Sequence, residues 1–75
     1  MRRYKNLGGT SGVVAYEVGE DSIRVRFRDG NTYLYNHQTP GKKLVERMQE
    51  LAEEGKGLHS YISKTVKKRY VSKSR

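Results

Sequence analysis

Lysine and arginine side chains have the clearest chemical capacity in this chain of 75 residues. Three arginines alternate with apolar residues near the middle, and four cations cluster later: Arg24, Arg26 and Arg28, then Lys64, Lys67, Lys68 and Arg69. Guanidinium and ammonium groups in such rows bind the phosphate oxygens of a polyanion. Two ordinary alternatives stay open. Charges on an exposed strand prevent edge pairing, and cations near a helix C-terminus complement its dipole.

A pair of lysines, Lys42 and Lys43, follows Thr39-Pro40-Gly41. Threonine as N-cap and proline at the first helical position are typical of a helix start. The free N–H groups of such a start attract anions, so the Gly41 amide and the two lysines are a candidate phosphate site. The alternative is a solvated surface, where ion pairs along the helix contribute a few tenths of a kcal/mol each.

Aromatic and histidine residues supply the remaining candidates. Tyr70 stands among basic residues beyond the last predicted helix, so it is best placed to stack on a base. The two histidines, His37 and His59, lie in unrelated elements, and the chain has no cysteine. Neither histidine has a partner that the sequence specifies for metal binding or catalysis. We therefore predict no metal, no cofactor and no enzymatic activity.

The charge distribution favours a polyanionic partner. Sixteen Lys and Arg stand against eight Asp and Glu, for a net charge of +8. Residues 1–16 and 55–75 contain no acidic side chain. Such asymmetry favours nucleic acid or an acidic surface, although small proteins can also be basic for solubility alone. The absence of cysteine agrees with a cytoplasmic location, and no apolar run approaches the roughly 18 residues of a membrane span.

Residues 23–35 predict a β-hairpin, because apolar and polar side chains alternate on both sides of Asp29-Gly30. A two-residue loop would place Tyr33 and Tyr35 among the arginines on the solvent face. A three-residue loop, with Gly30 in a left-handed bulge, would place both tyrosines on the apolar face.

Burial favours the bulged register, which pairs Phe27 with Asn31 and sets the tyrosines beside Val25 and Ile23. It collects five large side chains on the core side. At about 25 cal/mol per Å² of apolar surface, the loss of two tyrosines from that face would cost several kcal/mol. This cost outweighs any preference of the turn.

The remaining segments complete an α+β fold. Residues 12–18 are rich in β-branched side chains and predict a first strand, and residues 19–22 predict a turn. Apolar residues at helical spacing predict helices over 40–54 and 57–67. We therefore expect a three-stranded antiparallel meander, packed on one face by one longer and one shorter helix. Residues 12–67 would form this single domain, between a flexible basic arm (1–11) and a basic tail (68–75) that frays unless a ligand orders it.

The order of these signals resembles the KTSC domain family. The matching pieces are Val25-Arg-Phe27, Asp29-Gly30, Tyr33-Leu-Tyr35, Pro40, and Gly55-Lys-Gly-Leu58 through Tyr61-Ile62. The resemblance covers roughly residues 11–66. KTSC domains occur as short bacterial or phage-encoded proteins and at the C-terminus of some lysyl-tRNA synthetases, and RNA binding has been suggested for them. The resemblance thus implies a stand-alone α+β module with affinity for RNA, and it transfers no catalytic residue.

The sequence predicts a small, basic, monomeric, non-catalytic module that binds nucleic acid through phosphate contacts, RNA rather than DNA. The predicted contact residues are Arg24, Arg26, Arg28, Lys42, Lys43, Lys64, Lys67, Lys68, Arg69 and Tyr70. The alternative partner is an acidic protein surface, for which the chain would serve as an adaptor. A membrane partner is not expected, because the apolar helix faces are needed for the core.

Overall fold

The computed structural model describes residues 1–9 and 11–74, and it has one antiparallel sheet packed against two helices. The strands are β1 (Arg2–Arg3), β2 (Val13–Val18), β3 (Ser22–Phe27), β4 (Thr32–Asn36) and β5 (Ser72–Ser74), hydrogen-bonded in that order. The helices are α1 (Lys42–Glu54) and α2 (Leu58–Tyr61), and α2 continues into a π-helical turn (Ile62–Val66). The α+β class and the antiparallel sheet agree with the prediction.

The N-terminal segment is part of the sheet, so the prediction of a flexible arm over 1–11 was wrong for its first residues. Arg2 pairs with Tyr16 as part of β1, and the Tyr4 side chain is buried with 3% of its surface exposed. The Tyr4 N–H donates to Val14 O at 2.9 Å, and its hydroxyl accepts the Leu58 N–H at 3.3 Å. This buried tyrosine anchors the segment to both the sheet and α2. Thr10 lies outside the described residues.

The C-terminal segment also joins the sheet, where a fraying tail over 68–75 was predicted. The Val71 N–H donates to Leu34 O at 2.7 Å, and Lys73 of β5 pairs with Tyr33 of β4. Without β5, the outer edge of β4 would present unpaired N–H and C=O groups, and pairing with β5 satisfies groups on that edge. Within the described residues, the sheet therefore has five strands rather than three, and the fold extends beyond 12–67 at both ends. Arg75 lies outside the described residues.

The hairpin between β3 and β4 takes the bulged register, as predicted. The Phe27 N–H donates to Asn31 O at 2.9 Å, the Gly30 N–H donates to Phe27 O at 3.0 Å, and Gly30 has φ 89°. The large side chains of both strands therefore share one face: Ile23, Val25, Phe27, Tyr33 and Tyr35.

Both helices pack on that face, as predicted. The core is formed by Tyr4, Val13, Tyr16, Ile23, Val25 and Tyr35 from the sheet side, and by Val45, Met48, Leu51, Ala52, Leu58, Ile62 and Val66 from the helical side. The apolar stripe of α1 thus lies inward, as its spacing indicates. Among the described residues, no helix is long and apolar enough to cross a membrane.

Helix α1 begins at Lys42, two residues later than predicted, and Thr39 does not cap it. The Asn36 Oδ1 accepts the Gln38 and Thr39 N–H groups, both at 2.9 Å, and Asn36 O accepts the Gly41 N–H at 3.2 Å. Thr39 is therefore held in a loop that Asn36 organises. The Thr39–Pro40 bond is cis, and Gly41 has φ 122°, which is not a helical value.

The glycine at the end of α1 makes a testable packing contact. Gly55 (φ 86°) and Gly30 (φ 89°) have the same left-handed backbone, which costs a residue with a Cβ about 1–2 kcal/mol. A Cβ on Gly55 would lie 2.5 Å from the Cβ of Lys5, whereas a Cβ on Gly30 would have no heavy atom within 4 Å. We expect Gly55→Ala to lower the free energy of unfolding by about 1–3 kcal/mol more than Gly30→Ala. Urea unfolding followed by circular dichroism measures both, and equal losses would contradict the close approach of residue 5.

Candidate nucleic-acid interface

An open groove of about 1090 Å³ lies on the helical side of the sheet, where the helices leave the Phe27 end of β3 uncovered. Its floor comes from β3 and β4, and its walls come from the π-helical turn and the C-terminal segment. The uncharged lining residues are Gly12, Phe27, Tyr33, Tyr35, His59, Ile62, Ser63 and Tyr70. The charged lining residues are Arg28, Asp29, Lys67, Lys68 and Lys73.

Aromatic rings form a continuous cluster along the groove. Tyr33 lies at its centre, with its centroid 5.4 Å from that of Phe27 and 4.8 Å from that of Tyr70, both edge to face. Tyr35 lies nearly parallel to Tyr33, with the centroids 6.5 Å apart. Edge-to-face and offset arrangements are the favourable geometries for aromatic pairs. Tyr35 is buried with 1% exposed, whereas Phe27, Tyr33 and Tyr70 are half-buried and keep part of each side chain accessible.

Among the described residues, four cations and one carboxylate line the groove beside these rings, for a net charge of +3. Arg28 is present because the bulged loop turns the chain at this residue. Its side chain therefore departs from the alternation of β3 and lines the groove. Lys73 is present because its pairing partner is Tyr33, and its Nζ lies 5.8 Å from the centre of the Tyr33 ring. A cation at this distance is attracted to the ring quadrupole.

The backbone around the π-helical turn positions Lys67 and Lys68. The Lys67 N–H donates to Ile62 O, five residues earlier, and closes the wide turn. Lys67 itself has φ 56°, an uncommon value for a residue other than glycine. Single π-helical turns and sparsely populated backbone conformations are frequent at functional sites. The two lysines are exposed at the point where the chain leaves the helix and enters the groove wall.

His59 has a structural partner at the edge of the groove. Its Nδ1 accepts the Gly12 N–H at 2.9 Å, and its ring lies 5.7 Å from that of Phe27. An acceptor at Nδ1 requires the neutral imidazole with its proton on Nε2. A Cβ on Gly12 would lie 3.0 Å from the His59 ring, so glycine allows this close approach. His59 is half-buried, and its contacts are with Gly12 and Phe27.

The groove brings together part of the predicted contact set, namely Arg28, Lys67, Lys68 and Tyr70. Arg24 and Arg26 lie on the opposite, exposed face of the sheet, because strand residues alternate between faces. The Arg24 Nε is 3.8 Å from Glu17 Oε1, and the Arg26 Nε donates to Thr32 Oγ1 at 3.5 Å.

The remaining predicted residues lie away from the groove lining. Lys42 and Lys43 are exposed at the start of α1, and the Gly41 amide proposed to help them hold a phosphate donates to Asn36 O instead. Lys64 is exposed on the π-helical turn. The Arg69 Nη2 donates to Thr65 O at 2.7 Å, so this guanidinium caps the last carbonyls of the helical segment.

The groove residues that were missing from the predicted contact set include two accessible rings, Phe27 and Tyr33, and one cation, Lys73. Phe27 and Tyr33 were assigned to the core, and the alternation of the hairpin gives no signal for where helical cover stops. Lys73 was placed in a patternless tail. The sequence Ser72-Lys-Ser74 does alternate, but three residues are too few to indicate a strand.

The described residues provide little sign of other chemistry. Within 1–9 and 11–74, no group of three or more His, Cys, Asp or Glu could hold a metal ion. Ion pairs between described residues are Arg2–Glu53 at 3.9 Å, Arg24–Glu17 at 3.8 Å and Arg47–Glu50 at 4.0 Å. The groove-lining cations are in none of these pairs. The absence of a metal, a cofactor and catalytic activity stays a prediction.

Comparison with family models gives no match, and neither the curated proteins nor the solved structures include a chain with significant similarity to this one. Fold and groove define a small α+β module with an aromatic floor and a basic rim.

Tyr35 makes the stability of the groove floor dependent on pH. Burial, and then the neighbouring Tyr33 and Tyr70, raise the pKa of Tyr35 above its ordinary value, because the phenolate would lose its hydration. Burial also raises the pKa of Tyr4. The fold therefore favours the protonated phenols. Their contribution to stability is complete below the unfolded-state pKa near 10, and it is lost as pH rises through the higher folded-state values.

We expect the free energy of unfolding to fall steeply above about pH 10. Tyr35→Phe should make that fall shallower, because it removes one of the two hydroxyls whose pKa is raised. Urea unfolding at a series of pH values from 8 to about 11 gives both slopes. Absorbance at 295 nm in the folded protein reports phenolate formation directly. Identical slopes for the wild type and Tyr35→Phe would contradict burial of a titrating hydroxyl at this position.

Proposed function

We propose that this protein is a non-catalytic module that binds nucleic acid, RNA in the first place, through phosphate contacts at the rim of the groove. The observation that carries the proposal is the convergence of Arg28, Lys67, Lys68 and Lys73 around one open groove. These cations come from three separate segments of the chain. Capping of one helix or solvation of one strand does not account for such a gathering.

The physical basis is the release of condensed counterions. Each cation that meets a phosphate releases a counterion, and the resulting affinity falls as salt concentration rises. Lys67 and Lys68 are exposed and outside the ion pairs given above, so they can meet a phosphate without breaking an existing pair. Asp29 is the one carboxylate among the lining residues that the structure describes, and it leaves their net charge positive. Contacts of this kind give little sequence specificity.

The preference for RNA rests on the resemblance to KTSC domains, some of which are attached to lysyl-tRNA synthetases. Membership of that family is part of the proposal, as are a monomeric state and a cytoplasmic location. The proposal changes the contact set. It retains Arg28, Lys67, Lys68 and Tyr70 and adds Lys73. Cations on other surfaces, such as Lys42 and Lys43, are not expected to contribute in the same measure.

A matched pair of double variants tests the proposal. Lys67→Gln/Lys68→Gln removes two charges from the groove, and Lys42→Gln/Lys43→Gln removes two from an exposed helix start. For a short single-stranded RNA, loss of two phosphate contacts should reduce the slope of log affinity against log salt by about 1.4. We expect this reduction from the groove variant and a much smaller one from the control. Fluorescence anisotropy at several salt concentrations measures both slopes.

Two results would contradict the proposal. Equal loss of slope in the two double variants would mean that net charge, not the groove, determines binding. An absence of binding to RNA and DNA at low salt would remove the function altogether. The ratio of absorbance at 260 and 280 nm in freshly purified protein is a quick independent check, because bound nucleic acid raises it.

A further inference from the structure

We infer that the groove binds an unpaired base, stacked on the aromatic cluster, so the ligand is single-stranded rather than duplex. This inference rests on the proposed function and goes further, because phosphate contacts alone do not distinguish the two forms. Stacking requires a base whose faces are free, and in a duplex the base faces are already covered by neighbouring pairs.

The accessible rings line the same groove as the cations. Phe27, Tyr33 and Tyr70 are half-buried and line the same groove as Lys67 and Lys68. Tyr35 also lines the groove but is almost fully buried, so it offers no accessible face of its own. Partly exposed rings among cations combine the two elements of a single-strand site, a stacking platform and an electrostatic path for the backbone.

Lys73 indicates where the base would lie. Its ammonium is 5.8 Å from the centre of the Tyr33 ring, over the ring. A cation on a ring face is held only weakly at an exposed site. A stacked base offers the ring a larger interaction, so it can displace the ammonium. The displaced Lys73 remains beside the groove and is free to meet a phosphate of the same strand.

The size of the groove fits a segment of nucleic acid chain. Pockets for small molecules enclose roughly 300–1,000 Å³, and this groove of about 1090 Å³ is slightly larger and open to solvent. The net charge of its lining is complementary to a polyanion, and its rings are complementary to bases. An acidic peptide would match the charges but would leave the rings without partners.

The experiment compares three ligands of equal length on the wild-type protein: a single-stranded octanucleotide RNA, an octamer of base-free ribose phosphate, and the RNA duplex. The single strand and the base-free octamer carry the same phosphates, so their salt slopes should agree. Stacking of one base should make the RNA single strand bind about 5- to 150-fold more tightly than the base-free octamer. We expect the duplex to bind less tightly than the single strand.

A fluorescent base reports stacking itself. The fluorescence of 2-aminopurine in the octanucleotide should be quenched on binding. Tyr70→Leu should weaken that quenching, whereas Tyr70→Phe should retain it because the ring remains. Tyr61→Leu is the matched control, since Tyr61 is also half-buried but is not a lining residue. Lys73→Met should reduce the salt slope by about 0.7 and leave the quenching in place.

The outcomes separate this inference from the proposed function. If the base-free octamer binds as tightly as the RNA, with affinity lost in Lys67→Gln/Lys68→Gln, the phosphate site stands and base stacking is refuted. If no octamer binds at low salt, the proposed function fails and the inference fails with it. If polyglutamate of matched charge binds as tightly as the single strand, the rings play no part and the inference is overturned. The comparisons between ligands use the unmodified protein, so they do not depend on the folding of any variant.

Discussion

The pairing of Phe27 with Asn31 is the constraint on which the rest of this structure depends. It fixes a three-residue loop, and through the alternation of both strands it assigns every hairpin side chain to a face. A shift of one residue would move the two tyrosines of β4 to solvent and leave the helices with little to cover. The same loop turns the chain at Arg28 and brings a guanidinium beside the rings. One register therefore produces both the core and the basic edge of the groove.

The helices are too short in combination to cover the whole apolar face. Helix α1 packs against β3, β4 and α2, and Leu58, Ile62 and Val66 of the second helical segment complete the core. The Phe27 end of the face remains open, and aromatic side chains occupy it. Aromatic rings suit such a position, because they pack against the core with one part and stay accessible with another. The groove thus forms because the two helices cover only part of the apolar face of the sheet.

The sequence predicts the parts of the fold that have a repeating pattern. The hairpin register follows from burial of five large side chains, and the inner face of α1 follows from its apolar stripe. The edge strands were missed because β1 has two residues and β5 has three, too few for any period to appear. The start of α1 was misplaced because Asn36, three residues before Thr39, holds that threonine in a loop. The sequence does not predict the π-helical turn either, because the interval of four between Leu58, Ile62 and Val66 fits an α-helix as well as a π-helix.

The candidate site was predictable only in part, for a related reason. Charge density along the chain identifies Lys67 and Lys68 directly, and the position of Tyr70 among cations identifies it as well. Arg28 was grouped with Arg24 and Arg26 by alternation, yet the loop separates it from them in space. Lys73 reaches the groove only through the pairing of β5 with β4, which is a contact between distant parts of the chain. Such contacts depend on the whole fold, so no local sequence pattern predicts them.

The C-terminal segment has two roles, because it both forms the outer strand of the sheet and walls the groove. β5 is short, and its three side chains are all exposed, so its pairing with β4 receives little support from packing. Anything held between Tyr70, Lys73 and the sheet adds its binding free energy to the closed arrangement of that segment. Occupation of the groove and protection of the β5 amides from hydrogen exchange are therefore thermodynamically linked. The exchange rates of amides in this edge strand would report whether the groove is filled.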